Sequence, residues 1–301
     1  MERVNTHGSG PLSFRIGDIT FALTSDDPGL KLGARGPVRH FLVAGGEPDV
    51  RLRAAWGDSS APAAGEKLFD AGTVWQLHRQ GQGYLFRFMA PGCGPEPYKT
   101  ASFNADFTCG EIRLRGDSIQ GNQPVYPLEY PLDELLMVNL LARGRGVEVH
   151  GCGVADTDGA GYLFLGQSGA GKSTLAGLWT KVGAQILSDD RIILRMLDGR
   201  LWMYGTPWHG EAELASARRT AVGRIFFLGR GEKNEMVPLA RPNAVARLMA
   251  CSFLPFHSFS GLDFTLGLFQ QVTQAVPCTE FRFVPDERAV DFVRNAGVAY
   301  A

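Results

Sequence analysis

From about residue 12 to residue 117, apolar and polar positions alternate with a period of two, the spacing of strands with one buried face. Leu12-Ser13-Phe14-Arg15-Ile16, Thr73-Val74-Trp75-Gln76-Leu77-His78 and Tyr84-Leu85-Phe86-Arg87-Phe88 are examples. Arg79 to Gly83 carries two glycines and reads as a hairpin loop between the last two. Helical periodicity is nearly absent. The stretch predicts an antiparallel β-rich domain, taken as residues 1–127.

The pattern changes at Tyr130. Pro131 suits a first helical position, and Asp133 and Glu134 suit the positive end of the helix dipole. Leu132, Leu135, Leu136 and Leu140 form an apolar stripe that Arg143 and Gly144 close. This helix, 131–143, is expected to bridge into a second domain, 128–301. There Val147-Glu148-Val149-His150 alternates like a strand, and Tyr162-Leu163-Phe164-Leu165 is a short buried-strand run. Leu175 to Val182 is helical with Gly183 as its stop, and Gln185 to Ser188 is the next strand. Asp198-Gly199 between two apolar runs is a two-residue hairpin signal. Arg224 to Leu228 and Phe281 to Val284 read as further strands. Helices are expected near 242–251 and 261–275, and a last one after Asp286, ended by Gly297.

Composition narrows the class. The chain has 301 residues, 45% hydrophobic and 20% charged, enough for a full core without disulfide staples. Thirty Lys+Arg against 31 Asp+Glu argue against a nucleic-acid binder held by bulk charge and a protein that coats anionic membranes, while leaving room for a local basic patch. Five cysteines without a C-x-x-C argue against a disulfide framework or zinc finger and for a reducing compartment. No apolar run approaches membrane-spanning length, and Met1 to Asn5 opens no signal-peptide core, so a cytoplasmic protein is expected. Glycine, at 38 residues, is nearly twice its usual share. So many glycines fit tight turns and phosphate loops.

One such loop is present in full. Gly166-Gln167-Ser168-Gly169-Ala170-Gly171-Lys172-Ser173 matches G-x-x-x-x-G-K-[ST], with a strand (162–165) leading in and a helix (172–182) leading out. Glycines let consecutive backbone N–H groups turn toward an oxyanion, and the helix adds its positive end. Lys172 would reach the β- and γ-phosphates, and the Ser173 hydroxyl would ligate Mg²⁺. Residues 166–174 are therefore the expected nucleotide site, with ATP and Mg²⁺ as cofactors.

A phosphoryl-transfer site also needs carboxylates. Asp189 and Asp190 follow Lys172 by 17 and 18 positions, at the C-terminal end of the next strand, where α/β ligand sites form. One could accept a hydroxyl proton while the other acts through Mg²⁺; a solvated turn is the bland alternative. His150, on the strand before the loop, is either a packed structural histidine or a phosphate contact. Thr206-Pro207-Trp208-His209-Gly210-Glu211 is either a plugged turn or an active-site wall, with Glu211 a further metal candidate. Arg218, Arg219 and Arg224 could neutralise a phosphoryl group or face solvent. Phe253-Leu254-Pro255-Phe256 reads as core or as a subunit contact.

Taken together, Val149-His150-Gly151, the glycine loop and Ser188-Asp189-Asp190 resemble the catalytic domain of HPr kinase/phosphorylase, a family that shares its P-loop fold with phosphoenolpyruvate carboxykinase. Gly205 to Glu211, Val276-Pro277-Cys278 and Phe283 to Glu287 are similar to HPr-kinase-related proteins, among them peptide and free-serine kinases. The resemblance spans roughly 130–295. It implies an α/β carboxykinase-like P-loop domain with a mixed sheet, Asp189 as base for the acceptor hydroxyl, Asp190 near the metal and His150 beside the transferring phosphate. Thr174 stands where HPr kinases carry Glu, and their E-x-R-G signature is not visible after the Asp pair. The resemblance therefore does not extend to phosphorylase activity or to HPr as substrate.

The expected function is ATP- and Mg²⁺-dependent transfer of a γ-phosphoryl group to a hydroxyl, with serine foremost, of a protein, peptide or small metabolite. That acceptor is the expected partner, and by resemblance a homo-oligomer is a weaker expectation. Two rivals stay open: a P-loop nucleotide hydrolase or switch, and a non-catalytic nucleotide-gated peptide-binding adaptor.

Overall fold

The computed structural model describes residues 11–58, 65–116, 123–210 and 213–296, the side chain of Ala296 excepted. The chain divides into two compact units, Met1–Leu140 and Leu141–Ala301. The division falls near the end of the helix that follows Pro131 instead of before it. Among the described residues no helix is long and apolar enough to cross a membrane. All five cysteines are free.

The first unit holds β1 (Leu12–Ile16), β2 (Ile19–Thr24), β3 (Val50–Trp56), β4 (Lys67–Asp70), β5 (Trp75–Gln80), β6 (Gly83–Phe88), β7 (Lys99–Phe103) and β8 (Cys109–Leu114). They form one eight-stranded sheet in the order β1-β2-β3-β8-β7-β6-β5-β4. Period-two alternation places Phe14, Ile16, Phe21, Leu77, Phe86 and Phe88 in its core. The β5–β6 hairpin turns on Gly81, whose φ is 57°. The sheet is mixed, which corrects the antiparallel expectation: β3 runs parallel to both β2 and β8. Alternation sets which face a side chain takes but not the direction of the strand. The connection 25–49, with a 3₁₀ turn at Gly36–Phe41, is long enough to return the chain parallel. α1 (Leu132–Leu141) follows.

The second unit holds β9 (Val147–Ala155), β10 (Gly161–Leu165), α2 (Lys172–Lys181), β11 (Gln185–Ser188), β12 (Arg191–Leu197), β13 (Arg200–Gly205), β14 (Arg219–Ala221), β15 (Arg224–Arg230), β16 (Glu235–Pro238), α3 (Arg241–Ala250), β17 (Ser252–Phe253), α4 (Phe259–Ala275), β18 (Cys278–Phe283) and α5 (Arg288–Ala296). Its mixed sheet has the order β14-β13-β12-β9-β10-β15-β18-β16, with β11 and β17 also paired to β9. One face buries Val149, Leu163, Leu165, Ile225 and Phe227 against Leu248 of α3 and Phe269 of α4. The other buries Cys152, Phe164, Phe226 and Phe281 against Trp179 of α2 and Val290 of α5. Successive residues on the central strands thus serve opposite cores, which explains their near-continuous hydrophobic runs. The Asp198-Gly199 hairpin forms as its sequence predicts, with both residues at positive φ. α4 starts at Phe259, two residues before the expected point, because Ser258 accepts the Gly261 N–H and caps it.

Candidate active site

β9 changes partners midway. Its first half pairs with β12, His150 opposite Arg191, and with β17; its second half pairs with β10, Gly151 opposite Leu165, and with β11. β11 and β12 run along the same edge of β9, and Asp189-Asp190 is the break between them. Across β9, the chain leaves β10 at Gly166, level with the same point. Only small residues allow this crossing: a Cβ on Gly151 would lie 2.7 Å from a Leu165 methyl. The two freed β9 amides remain satisfied, His150 N–H by Cys251 O at 2.6 Å and Gly151 N–H by Asp190 O at 3.0 Å. Because β11 and β10 are both antiparallel to β9, they run the same way, and the Asp pair and the glycine loop share one edge of the sheet.

The glycine loop turns tightly into α2. Gly171 is the N-cap residue at φ 98°, and no side chain caps the helix. A Cβ there would also lie 2.7 Å from the Phe283 ring, so both conformation and space exclude a side chain. The first amides of α2 therefore carry the partial positive charge of a helix N-terminus.

Lys172 does not extend into solvent. Its Nζ donates to Gly166 O at 2.7 Å and Gln167 O at 3.1 Å, and lies 2.7 Å from His150 Nε2. Three acceptors match the three protons of an ammonium, which assigns Nε2 as acceptor and puts the imidazole proton on Nδ1. Nδ1 lies 3.0 Å from Asp190 Oδ1, so the proton is donated there. The other Asp190 oxygen takes Arg191 Nη1. Arg191 also places Nε 3.6 Å from the fully buried Glu148, and its guanidinium centre sits 4.2 Å above the Phe253 ring. Burial lowers the pKa of Lys172, although the Asp190 charge opposes the shift. Burial would raise that of Asp190, but the His150 hydrogen bond and the Arg191 charge outweigh it and hold it low.

Asp189 is 1% exposed. Its Oδ1 accepts the Gly210 N–H at 3.0 Å, and a Cβ on Gly210 would lie 2.8 Å from Oδ2. The loop carrying Gly210 is pinned at its other end: Ser188 Oγ donates to Trp208 O, and Thr206 Oγ1 lies 2.8 Å from Arg191 O. The 206–210 segment thus walls the Asp pair.

Lys172, His150 and Asp190 are brought together, with Asp189 behind Gly210. Glu211 lies outside the described residues. Ser173 and Thr174 are exposed on the first turn of α2. Among the described residues no three His, Cys, Asp or Glu side chains converge as a metal cluster. The three arginines go elsewhere: Arg218 donates to Gln185, Arg219 stacks on Trp202, and Arg224 stands at the far end of β15 from Gly166. Sequence reading missed Arg191 and Phe253. Arg191 was signalled only by following the Asp pair, whereas nothing local marks Phe253, which is neither core nor surface here but the platform under that guanidinium. Phe256, three residues further along the chain, is 69% exposed.

No family model matches the chain, and no curated protein matches it. Among solved structures, the HPr(Ser) kinase/phosphatase from Coxiella burnetii aligns over 50% of this chain and 96% of its own, at 16% identity and a TM-score of 0.31. The likeness is distant.

Proposed function

We propose that this protein is an ATP- and Mg²⁺-dependent kinase that transfers the γ-phosphoryl group to a hydroxyl, serine foremost, of a protein, peptide or small metabolite. The observation that carries the reading is the Lys172–His150–Asp190 chain beside an uncapped helix N-terminus. A lysine gathered onto its own loop, backed by a neutral histidine and an ionised carboxylate, is poised to exchange carbonyl acceptors for phosphate oxygens.

On this reading the amides of Gly169 to Ser173 hold the β-phosphate, and Lys172 shifts from Gly166 O and Gln167 O onto the γ-phosphoryl group. The Ser173 hydroxyl and an Asp carboxylate, with phosphate oxygens and water, are the all-oxygen donor set that Mg²⁺ takes without a larger protein cage. When bound, the ion would supply charge neutralisation for the phosphates. The acceptor hydroxyl gives its proton to Asp189 as its oxygen bonds to the γ-phosphorus and the bond to the β-phosphate oxygen breaks, releasing ADP. Asp189 is too buried to meet a hydroxyl directly, so the 206–210 wall must move as the acceptor docks. Settled back around the docked acceptor, the wall also keeps water away from the γ-phosphoryl group.

The test is transfer of label from γ-labelled ATP with Mg²⁺ into a desalted extract supplemented with free serine. Macromolecular, small organic and inorganic fractions are separated, with Lys172→Ala and Asp189→Asn as controls. Label in an organic or macromolecular fraction, lost in both variants, is expected. Label only as inorganic phosphate would replace this reading with a hydrolysing switch, and no turnover despite nucleotide binding would replace it with an adaptor.

A further inference from the structure

The reactive groups all lie to one side of the glycine loop. His150, Asp189 and Asp190 are on β9 and at the β11–β12 break. On the opposite side stand β15 and β18, both parallel to the loop's own strand β10. Leu228 of β15 is level with Gly166, where an added Cβ would approach its Cβ to 3.5 Å, and Phe283 of β18 closes over Gly171. Just past these two residues the strand ends open into a cavity of about 520 Å³ lined by Arg230, Gly231, Glu232, Lys233, Glu235 and Arg282.

We infer, on the reading that residues 166–173 hold the donor's phosphates, that this cavity receives the nucleoside of the donor. The direction follows from the sheet. With the γ-phosphoryl group facing β9, the rest of the nucleotide must leave toward β15 and β18. Those strands lie about 5 and 10 Å from β10, a reach that suits the α-phosphate, ribose and base.

The lining suits a nucleoside better than a simple anion. Arg282 is already engaged by Glu280 at 2.7 Å and Glu235 at 4.0 Å, and Lys233 lies 3.9 Å from Glu235, so much of the positive charge is compensated. The side chain of Arg230 makes no hydrogen bond or ion pair among the described residues, and its guanidinium can lie flat on a heterocyclic base. The carboxylates of Glu232 and Glu235 can accept ribose hydroxyls. The loop is not slack: Asn234 Oδ1 accepts the Val284 N–H at 2.9 Å, tying it to the end of β18.

Calorimetric titration of the whole chain with MgATP and with magnesium tripolyphosphate tests this. MgATP is expected to bind more tightly than tripolyphosphate. Arg230→Ala is expected to weaken MgATP binding about tenfold, with Glu232→Gln acting in the same direction, while tripolyphosphate binding and the unfolding temperature stay unchanged. Equal binding of the two ligands, or equal loss of both in Arg230→Ala, would overturn the nucleoside cavity while leaving the phosphate loop standing. Binding of neither ligand, or binding indifferent to Lys172→Ala, would remove the phosphate-loop reading, and this inference with it.

Discussion

Lys172 Nζ lies 2.7 Å from His150 Nε2. Two cations cannot rest at that distance, so one partner is neutral, and the two carbonyls that also accept from Nζ make it the histidine. Asp190 then fixes the tautomer from the other ring nitrogen. The loop lysine is held by its own loop, and a ligand must compete with three hydrogen bonds to engage it.

Replacing Lys172 with Met keeps a side chain of similar length and removes the charge. Hydrogen bonds to charged groups contribute about 1.5–3 kcal/mol, so MgATP affinity is expected to fall about 10- to 150-fold. His150→Ala removes one of the contacts holding the lysine back, and is expected to cost transfer rate more than affinity. Calorimetry together with single-turnover transfer separates the two, and unchanged MgATP affinity in Lys172→Met would refute the role given to the lysine.

The pH dependence follows from the signs. Burial holds Lys172 below the ordinary lysine value of 10.5, so its charge is lost earlier on the alkaline side than that of an exposed lysine. Asp190 is held below 3.8 and stays ionised at every pH above that value. MgATP affinity, followed from about pH 6 to about pH 10, is therefore expected to decline before 10.5 is reached, with no acid limb owed to Asp190. A profile flat to the alkaline end would contradict the burial of the ammonium.

Much of this site was legible in the chain before folding. The glycine loop is contiguous, and its spacing alone places amides, lysine and hydroxyl. The Asp pair follows at the distance of one helix and one strand, so its place at the same sheet edge follows from a β10–α2–β11 crossover. His150 was harder, because only the change of partners along β9 brings it to Lys172. Arg191 and Phe253 belong to elements separated by some sixty residues, and no local pattern encodes a stacking across that gap. The first sheet shows the same limit. Its strands could be read from alternation, but the parallel placement of β3 between β2 and β8 depends on the long connection 25–49.

Gly210 and Gly177 offer a matched pair. A methyl on Gly210 would sit 2.8 Å from Asp189 Oδ2 and 3.3 Å from Asp190 Cβ, with nowhere to go unless the 206–210 wall retreats. Gly177 lies on the exposed side of α2 with nothing within 4 Å of an added Cβ. Gly177→Ala is expected to stabilise the second unit by about 0.5–1 kcal/mol, with activity retained. Gly210→Ala is expected to lower transfer at least tenfold with MgATP affinity kept. Thermal unfolding and transfer assays on both decide it; full activity in Gly210→Ala would mean that the wall is not tight against the Asp pair.

Arg191 answers two carboxylates at once, Asp190 and the buried Glu148. Removing one partner of a buried pair costs about 3–5 kcal/mol, whereas replacing both can be close to neutral. Arg191→Met is accordingly expected to destabilise the second unit strongly, and Arg191→Met with Glu148→Gln to recover much of the loss. Transfer activity is not expected to recover, because Asp190 has lost the cation on its second oxygen. Denaturant unfolding of Arg191→Met, Glu148→Gln and the double variant tests the coupling, and simple additivity would show that the pair is not energetically joined.

Lys99, on β7 in the first unit, has no exposed surface. Its Nζ lies 3.4 Å from Glu129 Oε1 and over the rings of Phe88 and Tyr98, at 4.8 and 5.6 Å from their centroids. Burial lowers its pKa from 10.5 despite the pull of Glu129 and Asp133. The unfolded chain thus holds this proton more tightly than the folded one, and stability gained from its release appears as pH rises through the folded value toward 10.5. Lys99→Met removes the charge while keeping the stem among the rings. At neutral pH the variant is expected to match or exceed the parent in stability, and its advantage is expected to shrink as pH approaches 10.5. Tyr98, pushed up to about 12 by burial, titrates beyond that window and leaves the difference between the two proteins interpretable. Denaturant midpoints of parent and variant across the alkaline range measure it directly. A Lys99→Met protein less stable than its parent at every pH would show instead that the ammonium's contacts with Glu129 and the two rings outweigh its burial.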